Sequence, residues 1–354
     1  MYEMSLEKRI NAFIELGTFL KQFKNKVIND SVQNLNEKFY DDFDYLIKRQ
    51  KAFNGWFTEV FVLESIDAIA EMLTKENLQE WVSNYEINDF TPKNVGVIMA
   101  GNIPLVGFHD FLSVLISGNN VIAKTSSEDN TLLKKIAEIL IEIDAELATK
   151  IKFVERLENF EAVIATGSNN TARYFESYFG KYPNIIRKNR NSVAVISHND
   201  EKENLNKLGN DIFQYYGLGC RNVSKLYVPK GYNFNQFFEA IFEDFQDIVN
   251  NNKYANNYDY NKAVYLLGNN QLLDNNFVLL KEDESFSSPV AVLHYEYYED
   301  IEELKNHLQS QKENIQCIVS NEAPIESLKF GEAQQPKLWD YADGVDTMAF
   351  LTNL

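Results

Sequence analysis

The sequence predicts a two-domain α/β protein with parallel sheets and a helical N-terminal segment. Three observations carry that expectation. The chain's 354 residues exceed what one hydrophobic core ordinarily organises. Apolar residues make up 45% and aromatics 13%, enough to fill two cores and to argue against disorder. From residue 94 onward, short apolar runs alternate with amphipathic stretches at helical spacing, the order that produces parallel strands with helical crossovers.

Residues 1–90 read as helices. "LEKRINAFIELGTFLKQF" spaces Ile10, Phe13, Ile14, Leu16, Phe19 and Leu20 along one helical face, and "FTEVFVLESIDAIAEMLTKENLQEWV" repeats the pattern. "NVGVIMA" is a buried strand broken by "GNIP". "LVGFHDFLSVLISG" is a helix stopped by Gly118-Asn119, and "NVIAKTS" is the next strand. These form a β-loop-α-β unit with a right-handed crossover. A helix over "TLLKKIAEILIEIDAELA" follows, then strand, turn and helix in "FEAVIATGSNNTARYFESYF", and a strand in "SVAVISHND".

After residue 200 the alternation repeats: helix "NLNKLGNDIFQYYG", strand "SKLYVPKGY", helix "NFNQFFEAIFEDFQDIV", strand "SPVAVLHYE", helix "DIEELKNHLQSQ", strand "IQCIVS". The polar stretch "NNNKYANNYDYN", 250–261, reads as an exposed loop. The aromatic helix has the spacing of core. The expected organisation is 1–192 as N-terminal helices plus an α/β domain, 193–320 as a second α/β domain, and 321–354 as a tail available for oligomerisation.

Charge and cysteine content narrow the function. Net charge is −18, from 34 basic and 52 acidic residues, which argues against nucleic-acid partners and anionic membrane surfaces. An anionic cofactor then needs a local basic or backbone-donor site. Two cysteines exclude a disulfide framework and point to the cytoplasm. The charged N-terminus lacks a signal-peptide pattern. The most apolar stretch, "VGVIMAGNIPLVGF", is interrupted by Pro104 and glycines, so no membrane span is expected.

Several segments carry candidate chemistry, each with a plainer reading beside it. Thr166, Gly167 and Ser168 lie where a strand meets a helix N-terminus, a place that favours anions; an ordinary N-cap explains them equally. Neither the dinucleotide fingerprint nor the phosphate-binding loop of nucleotide hydrolases is present. Lys124 ends a strand, at the edge where α/β sheets bind ligands and also where a chain meets water. Asn102, in "GNIP", offers a side-chain amide to an oxyanion, or simply shapes a turn. Cys220 follows Gly217-Leu218-Gly219 and precedes Arg221, whose charge would favour the thiolate. Local chemistry leaves open whether it is a nucleophile or a small core residue. Cys317, inside a strand, reads as an inert core residue. The histidines, at 109, 198, 294 and 307, have no metal-ligand spacing, so no metal is expected.

Taken in order, these segments resemble the aldehyde dehydrogenase superfamily, and most closely its long-chain acyl-CoA reductases of the bioluminescence type, the LuxC-like family. "GNIP" resembles the Asn-x-Pro motif, implying Asn102 as oxyanion donor. "GNNVIAKTSSED" resembles the Gly-Asn-x-Val-x-x-Lys strand, implying Lys124 at the adenosine ribose or its phosphate. "VIATGSNNTARYF" resembles the Phe-Thr-Gly-Ser turn, implying Thr166, Gly167 and Ser168 against the cofactor. "YGLGCRNVSKLYV" resembles the Gly-Gln-x-Cys-x-x-x-Ser-Arg segment, implying Cys220 as nucleophile. "EDESFSSPVAVL" resembles the Glu-x-Phe-Gly-Pro-Val motif near the nicotinamide, implying Phe286 and either Ser285 or, with a one-residue insertion, Glu284.

The departures from the family pattern also inform. Where hydrolytic aldehyde dehydrogenases carry a water-activating Glu, this chain has Arg187 in "RKNRN". "KFVERLENF" lacks a family glycine near the pyrophosphate. The resemblance implies NADPH-dependent reduction of a long-chain acyl-CoA to the aldehyde through a Cys220 thioester, in a homo-dimer or homo-tetramer. Ser126 and Ser127, with no acidic residue before Glu128, leave room for the 2′-phosphate of NADPH. Two other classes stay open: a cysteine-dependent acyl transferase or thioesterase without nicotinamide, and a catalytically idle cofactor-binding member.

Overall fold

A computed structural model describes residues 4–87, 91–322 and 325–354. The N-terminal reading therefore lies outside the described residues at 1–3 and 88–90. The chain forms two compact units, Met1–Lys188 with Lys337–Leu354, and Asn189–Pro336.

In the first unit, α1 (Leu6–Leu20) starts at Ser5, whose side chain accepts from the Lys8 amide, and buries Phe13, Leu16, Phe19 and Leu20. Short turns α2 (Gln22–Asn25) and α3 (Gln33–Leu35) lead to α4 (Asp41–Phe53), α5 (Glu59–Met72) and α6 (Lys75–Val82). Helix α1 packs on α5 through Gly17, where an added Cβ would stand 2.7 Å from Leu73 Cβ.

The α/β part follows as β1 (Asn94–Ile98), α7 (Phe108–Ile116), β2 (Asn120–Lys124), α8 (Leu132–Ile143), β3 (Ile151–Phe153), β4 (Ala162–Thr166), α9 (Asn169–Phe179) and β5 (Asn184–Arg187). The sheet order is β3-β2-β1-β4-β5, with every pair parallel. The order reverses between β1 and β4, so the ligand crevice of this architecture falls beyond the carboxyl ends of those strands. Strands β3 and β5 were not among the expected elements. They are edge strands of three and four residues, too short to show a pattern in sequence.

The second unit contains β6 (Asn191–Val195), α10 (Lys202–Phe213), β7 (Val223–Pro229), α11 (Phe234–Phe245), α12 (Asn252–Leu267), β8 (Leu273–Asp274), β9 (Leu279–Glu282), β10 (Val292–Tyr298), α13 (Ile301–Ser310) and β11 (Ile315–Ser320). The sheet order is β11-β6-β7-β10-β9-β8, parallel except for the β8–β9 pair. Phe234 and Phe237 of α11 are buried in this unit's core.

Three expectations need correction. The stretch 250–261 is not an exposed loop: most of it is the start of α12. Asn251 caps that helix by accepting from the Lys253 and Tyr254 amides, and Tyr254, Tyr258 and Asn261 share one buried face. Asparagines and tyrosines hid this face from a reading based on apolar residues. The segment 321–354 is also divided. Residues 321–336 belong to the second unit, while Leu338, Met348 and Leu351 return to the first unit's core. Trp81 Nε1 donates to Tyr341 OH at 2.6 Å, and Asn119 Nδ2 to the Leu351 carbonyl at 3.2 Å. The first unit also ends at 188, four residues before the expected boundary.

Candidate active site

In the second unit, the turn that carries Cys220 is held from several sides. The chain leaves α10 through three left-handed residues, Tyr215 (φ 53°), Tyr216 (φ 58°) and Gly217 (φ 75°). Two of these are non-glycine, a strained passage that needs external support. Buried Asn222 supplies it. Its Oδ1 accepts from the Gly219 amide at 2.8 Å, and its Nδ2 reaches the Asp211 and Gln214 carbonyls at 3.1 and 2.9 Å. Ser192 Oγ, at the start of β6, donates to the Cys220 carbonyl at 2.9 Å. Arg221 Nε donates to the Ala333 carbonyl at 2.5 Å. The 331–333 segment is tied back in turn by Asp211, which accepts from the Gly331 and Ala333 amides at 2.6 and 2.9 Å. Burial pushes the Asp211 carboxyl up to about 6, despite those two donors. The result presents Cys220 exposed and without a disulfide, at the entry to β7.

Cys317 differs. It is half-buried on the edge strand β11, with Sγ 3.1 Å from Ser192 Oγ, and it lines a surface groove of about 550 Å³ with Leu308, Ile315 and Ile318. It packs, partly buried, against the second unit's core, at the margin of that core rather than inside it.

The segment 283–286 lies over the same sheet. Glu284 is exposed and Phe286 half-buried. Ser224 Oγ donates to the Phe286 carbonyl at 2.7 Å, and Lys225 Nζ to the Glu284 carbonyl at 2.6 Å. The two residues of the Ser-Lys pair after Cys220 are thus the ones that hold this segment.

In the first unit, the remaining sequence candidates gather at the carboxyl edge of the sheet. Lys124 is the last residue of β2 and pairs in register with Ile98 of β1. It is half-buried and makes no ion pair with a described residue. Thr166 ends β4, and Ser168 caps α9 by accepting from the Thr171 amide at 3.2 Å. Gly101 has no room for a side chain: a Cβ would stand 2.5 Å from Ser126 Oγ and 3.1 Å from Glu128 Cβ. The "GNIP" and "KTSSED" segments therefore pack as one surface. Ser126 Oγ accepts from the Glu128 amide at 3.2 Å, so the turn brings a carboxylate-bearing residue back to the side where sequence left room for a phosphate.

Asn102 is exposed at the tip of the loop after β1. That loop turns at Leu105 (φ 58°), whose amide donates to Asp129 Oδ2 at 2.7 Å, and Ser65 Oγ donates to the Pro104 carbonyl at 2.7 Å. Asp129 Oδ1 is buried without a partner among the described residues, and burial pushes this carboxyl up to about 6. Arg187, at the position of the hydrolytic Glu, is buried. It makes a bidentate pair with Asp110 and donates to Thr347 Oγ1 at 3.0 Å, which ties the C-terminal helix to β5.

Sequence reasoning missed Asn222, Asp211 and Asp129. Each acts through main-chain groups distant in sequence, and one sequence carries no local sign of such partners. The Asn222 side chain, for instance, reaches residues 8–11 positions upstream.

Two α/β units, a cysteine turn entering a parallel strand and a glycine-lined carboxyl edge define an aldehyde dehydrogenase-like fold. Aldehyde dehydrogenase 21 from Physcomitrella patens, solved with the product succinate, superposes with a TM-score of 0.64 at 12% identity, over 99% of this chain and 89% of that one. The NAD+ complex of an aldehyde dehydrogenase from Bacillus cereus gives a TM-score of 0.61 at 13% identity, over 90% and 72%. Within that fold, the description acyl-CoA reductase (LuxC) matches residues 70–328, and the chain belongs to that family. A curated relative is long-chain acyl-protein thioester reductase 2 from Photobacterium leiognathi, 22% identical over 224 residues. The match covers 57% of this chain and 46% of the relative, less than half of that protein's length. The family is one of oxidoreductases acting on acyl groups.

Proposed function

We propose that this protein reduces a long-chain fatty acyl-CoA to the aldehyde, with NADPH as the reductant, through a thioester on Cys220. The observation that carries the reading is the presentation of Cys220: an exposed thiol on a turn braced by Asn222, Ser192 and the Asp211-held segment. Such bracing holds a nucleophile at one position.

The Cys220 thiolate attacks the acyl carbonyl, and the C–S bond to CoA breaks as the thioester to Cys220 forms. The Asn102 amide and the Cys220 backbone N–H are assigned to the oxyanion. When bound, a nicotinamide dinucleotide would supply the hydride for reduction of the thioester, and Cys220 would leave the aldehyde as a thiolate. The residues of the first unit fit such a group: Lys124 offers a cation without a described carboxylate partner in a strongly acidic chain, and Ser168 is exposed at the N-terminus of α9. Thr166, Gly167, Ser168, Ser126 and Lys124 are assigned to its adenosine and phosphate side, and Glu284 and Phe286 to its nicotinamide side. The choice of NADPH rests on the family resemblance; Glu128 beside Gly101 makes the comparison with NADH part of the test.

Arg187 supports reduction over hydrolysis, since a guanidinium locked to Asp110 cannot act as a base toward water. The reading also assigns the first unit to the cofactor, the second to acyl chemistry, a cytoplasmic location, and a homo-dimer or homo-tetramer.

The test follows NADPH and NADH oxidation with myristoyl-CoA, and acyl-enzyme mass without cofactor. Wild type should consume cofactor and become acylated once, and Cys220→Ala should do neither. Acylation without any cofactor binding would favour the transferase or thioesterase reading instead. Full activity in Cys220→Ala would overturn the proposal.

A further inference from the structure

Lys225 on β7, His294 on β10 and Lys281 on β9 stand directly beside one another in parallel register, so their side chains share one row on one sheet face. Three basic residues in a row are unexpected in a chain of net charge −18, because like charges directly opposite destabilise a sheet. Two of them are also buried: Lys225 is fully enclosed and His294 is 4% exposed. Burying a lysine is costly unless its charge and all its donors are used.

What they have in common is one target. Lys225 Nζ donates to the Glu284 carbonyl at 2.6 Å, His294 Nδ1 lies 2.9 Å from the Ser285 carbonyl, and Lys281 pairs with the Asp283 carboxylate. Ser224, beside Lys225, holds the Phe286 carbonyl. Four consecutive residues without helix or strand structure are thus each tied to the sheet below. Lys225 also pairs with Glu296 and lies between the Tyr227 and Phe286 rings, 5.1 and 5.2 Å from their centroids. With Nδ1 donating to Ser285, neutral His294 leaves Nε2 as a bare acceptor, and Nε2 is buried without a partner among the described residues. That arrangement suits an uncharged imidazole.

We infer that Lys225 and His294 are positioning residues that hold segment 283–286 at a fixed height over the sheet and so set how Glu284 and Phe286 meet the nicotinamide half of the cofactor. The cofactor part of this inference rests on the function proposed above; the clamp itself does not. Because Lys225 follows Cys220 by five residues, one strand carries both the nucleophile's turn and the anchor of the opposing segment. Protonation works against the clamp: a charged His294 would stand between Lys225 and Lys281, with Asp283 the facing carboxylate at 3.9 Å and Glu296 already paired to Lys225. Burial and the two lysines hold the His294 pKa below its ordinary value, outweighing the Ser285 carbonyl and Asp283.

The experiment compares Lys225→Met, Lys225→Arg, His294→Leu and His294→Asn, the last keeping a donor near the Nδ1 position. Amide hydrogen exchange of the cofactor-free chain should quicken at least about tenfold within 283–288 in Lys225→Met and His294→Leu, with the other strands unchanged. Lys225→Arg and His294→Asn should recover most of it. The cofactor Kd, read by thermal shift, should rise by about tenfold or more, while the CoA burst from myristoyl-CoA without cofactor stays within about threefold. Wild-type cofactor affinity should also fall on acidification below the ordinary histidine range, and His294→Asn should lack that fall. Unchanged exchange in both Lys225→Met and His294→Leu would overturn the clamp. Equal losses of cofactor affinity and CoA burst would overturn its positioning role. If Lys225→Met does not fold, the His294→Leu and His294→Asn pair decides. If wild type neither binds cofactor nor becomes acylated, the proposed function fails, and hydrogen exchange still judges the clamp.

Discussion

The loop that carries Asn102 and the turn that carries Cys220 both follow regular elements through left-handed residues, and each is held by a buried aspartate whose pKa is raised to about 6. They differ in how completely that aspartate is used. Asp211 accepts from two amides and braces the segment that holds Arg221. Among the described residues, Asp129 accepts from the Leu105 amide alone, and its other oxygen has no partner. The Cys220 turn has a further anchor in Asn222, while the Asn102 loop is tied by the Ser65 bond to the Pro104 carbonyl. A nucleophile must stay at one position through acylation and release. A side-chain amide that stabilises an oxyanion is needed only as charge develops. The difference in bracing parallels those two demands.

The largest expected effect tests the role of the looser region. Asn102→Ala should lower the rate of Cys220 acylation by about 10²–10³, the usual cost of one oxyanion donor, with thermal stability nearly unchanged because Asn102 is exposed. An acylation rate within a few-fold of wild type would remove Asn102 from the chemistry. The next tests the tighter region. Asn222→Ala leaves the Gly219 amide and the Gln214 carbonyl without their side-chain partner, so it should cost about 2–3 kcal/mol in urea unfolding and slow acylation as well. Loss of stability with normal acylation would mean that the turn does not depend on its brace.

The smallest effect separates the two aspartates by pH. Each raised pKa means that the folded chain keeps a proton between about pH 4 and pH 6 where the unfolded chain has released it. The associated stability is complete below the unfolded value and is lost as pH rises through about 6, on the order of 3 kcal/mol in full for each group, about half of it between pH 5 and pH 7. Asp129→Asn should remove that fall and be equal to or more stable than wild type at pH 7, since its one acceptor bond survives. Asp211→Asn should flatten the fall too but lose stability at every pH, because an NH2 group must face one of two amides. Denaturation at pH 5 and pH 7 checks both, and identical behaviour of the two variants would erase the contrast.

Much of this was legible in the sequence. The alternation of apolar runs and helical stretches encoded the two parallel sheets, because strand and helix periods are local properties. Motif order brought Asn102, Lys124, Thr166 and Cys220 into notice, and the structure puts each at a strand end or a strand-entry turn. Strands β3 and β5 were too short to register, and α12 was masked by its asparagines. The C-terminal segment looked like a tail because nothing in "DTMAFLTNL" states that Met348 and Leu351 fill a core more than 200 residues upstream.

The sequence by itself determined the fold class, the chemical candidates and the absence of a glutamate where Arg187 stands, since these depend on residue type and local spacing. Only the tertiary structure decided what those residues touch. It made Arg187 a buried partner of Asp110 and Thr347, gave Asn222 and Ser192 the bracing of Cys220, and set Lys225, His294 and Lys281 in one row beneath residues 283–286. The physical reason is that carbonyls, amides and cations satisfy one another across the sheet at hydrogen-bond distance, and that proximity exists only once strands distant in sequence lie in register.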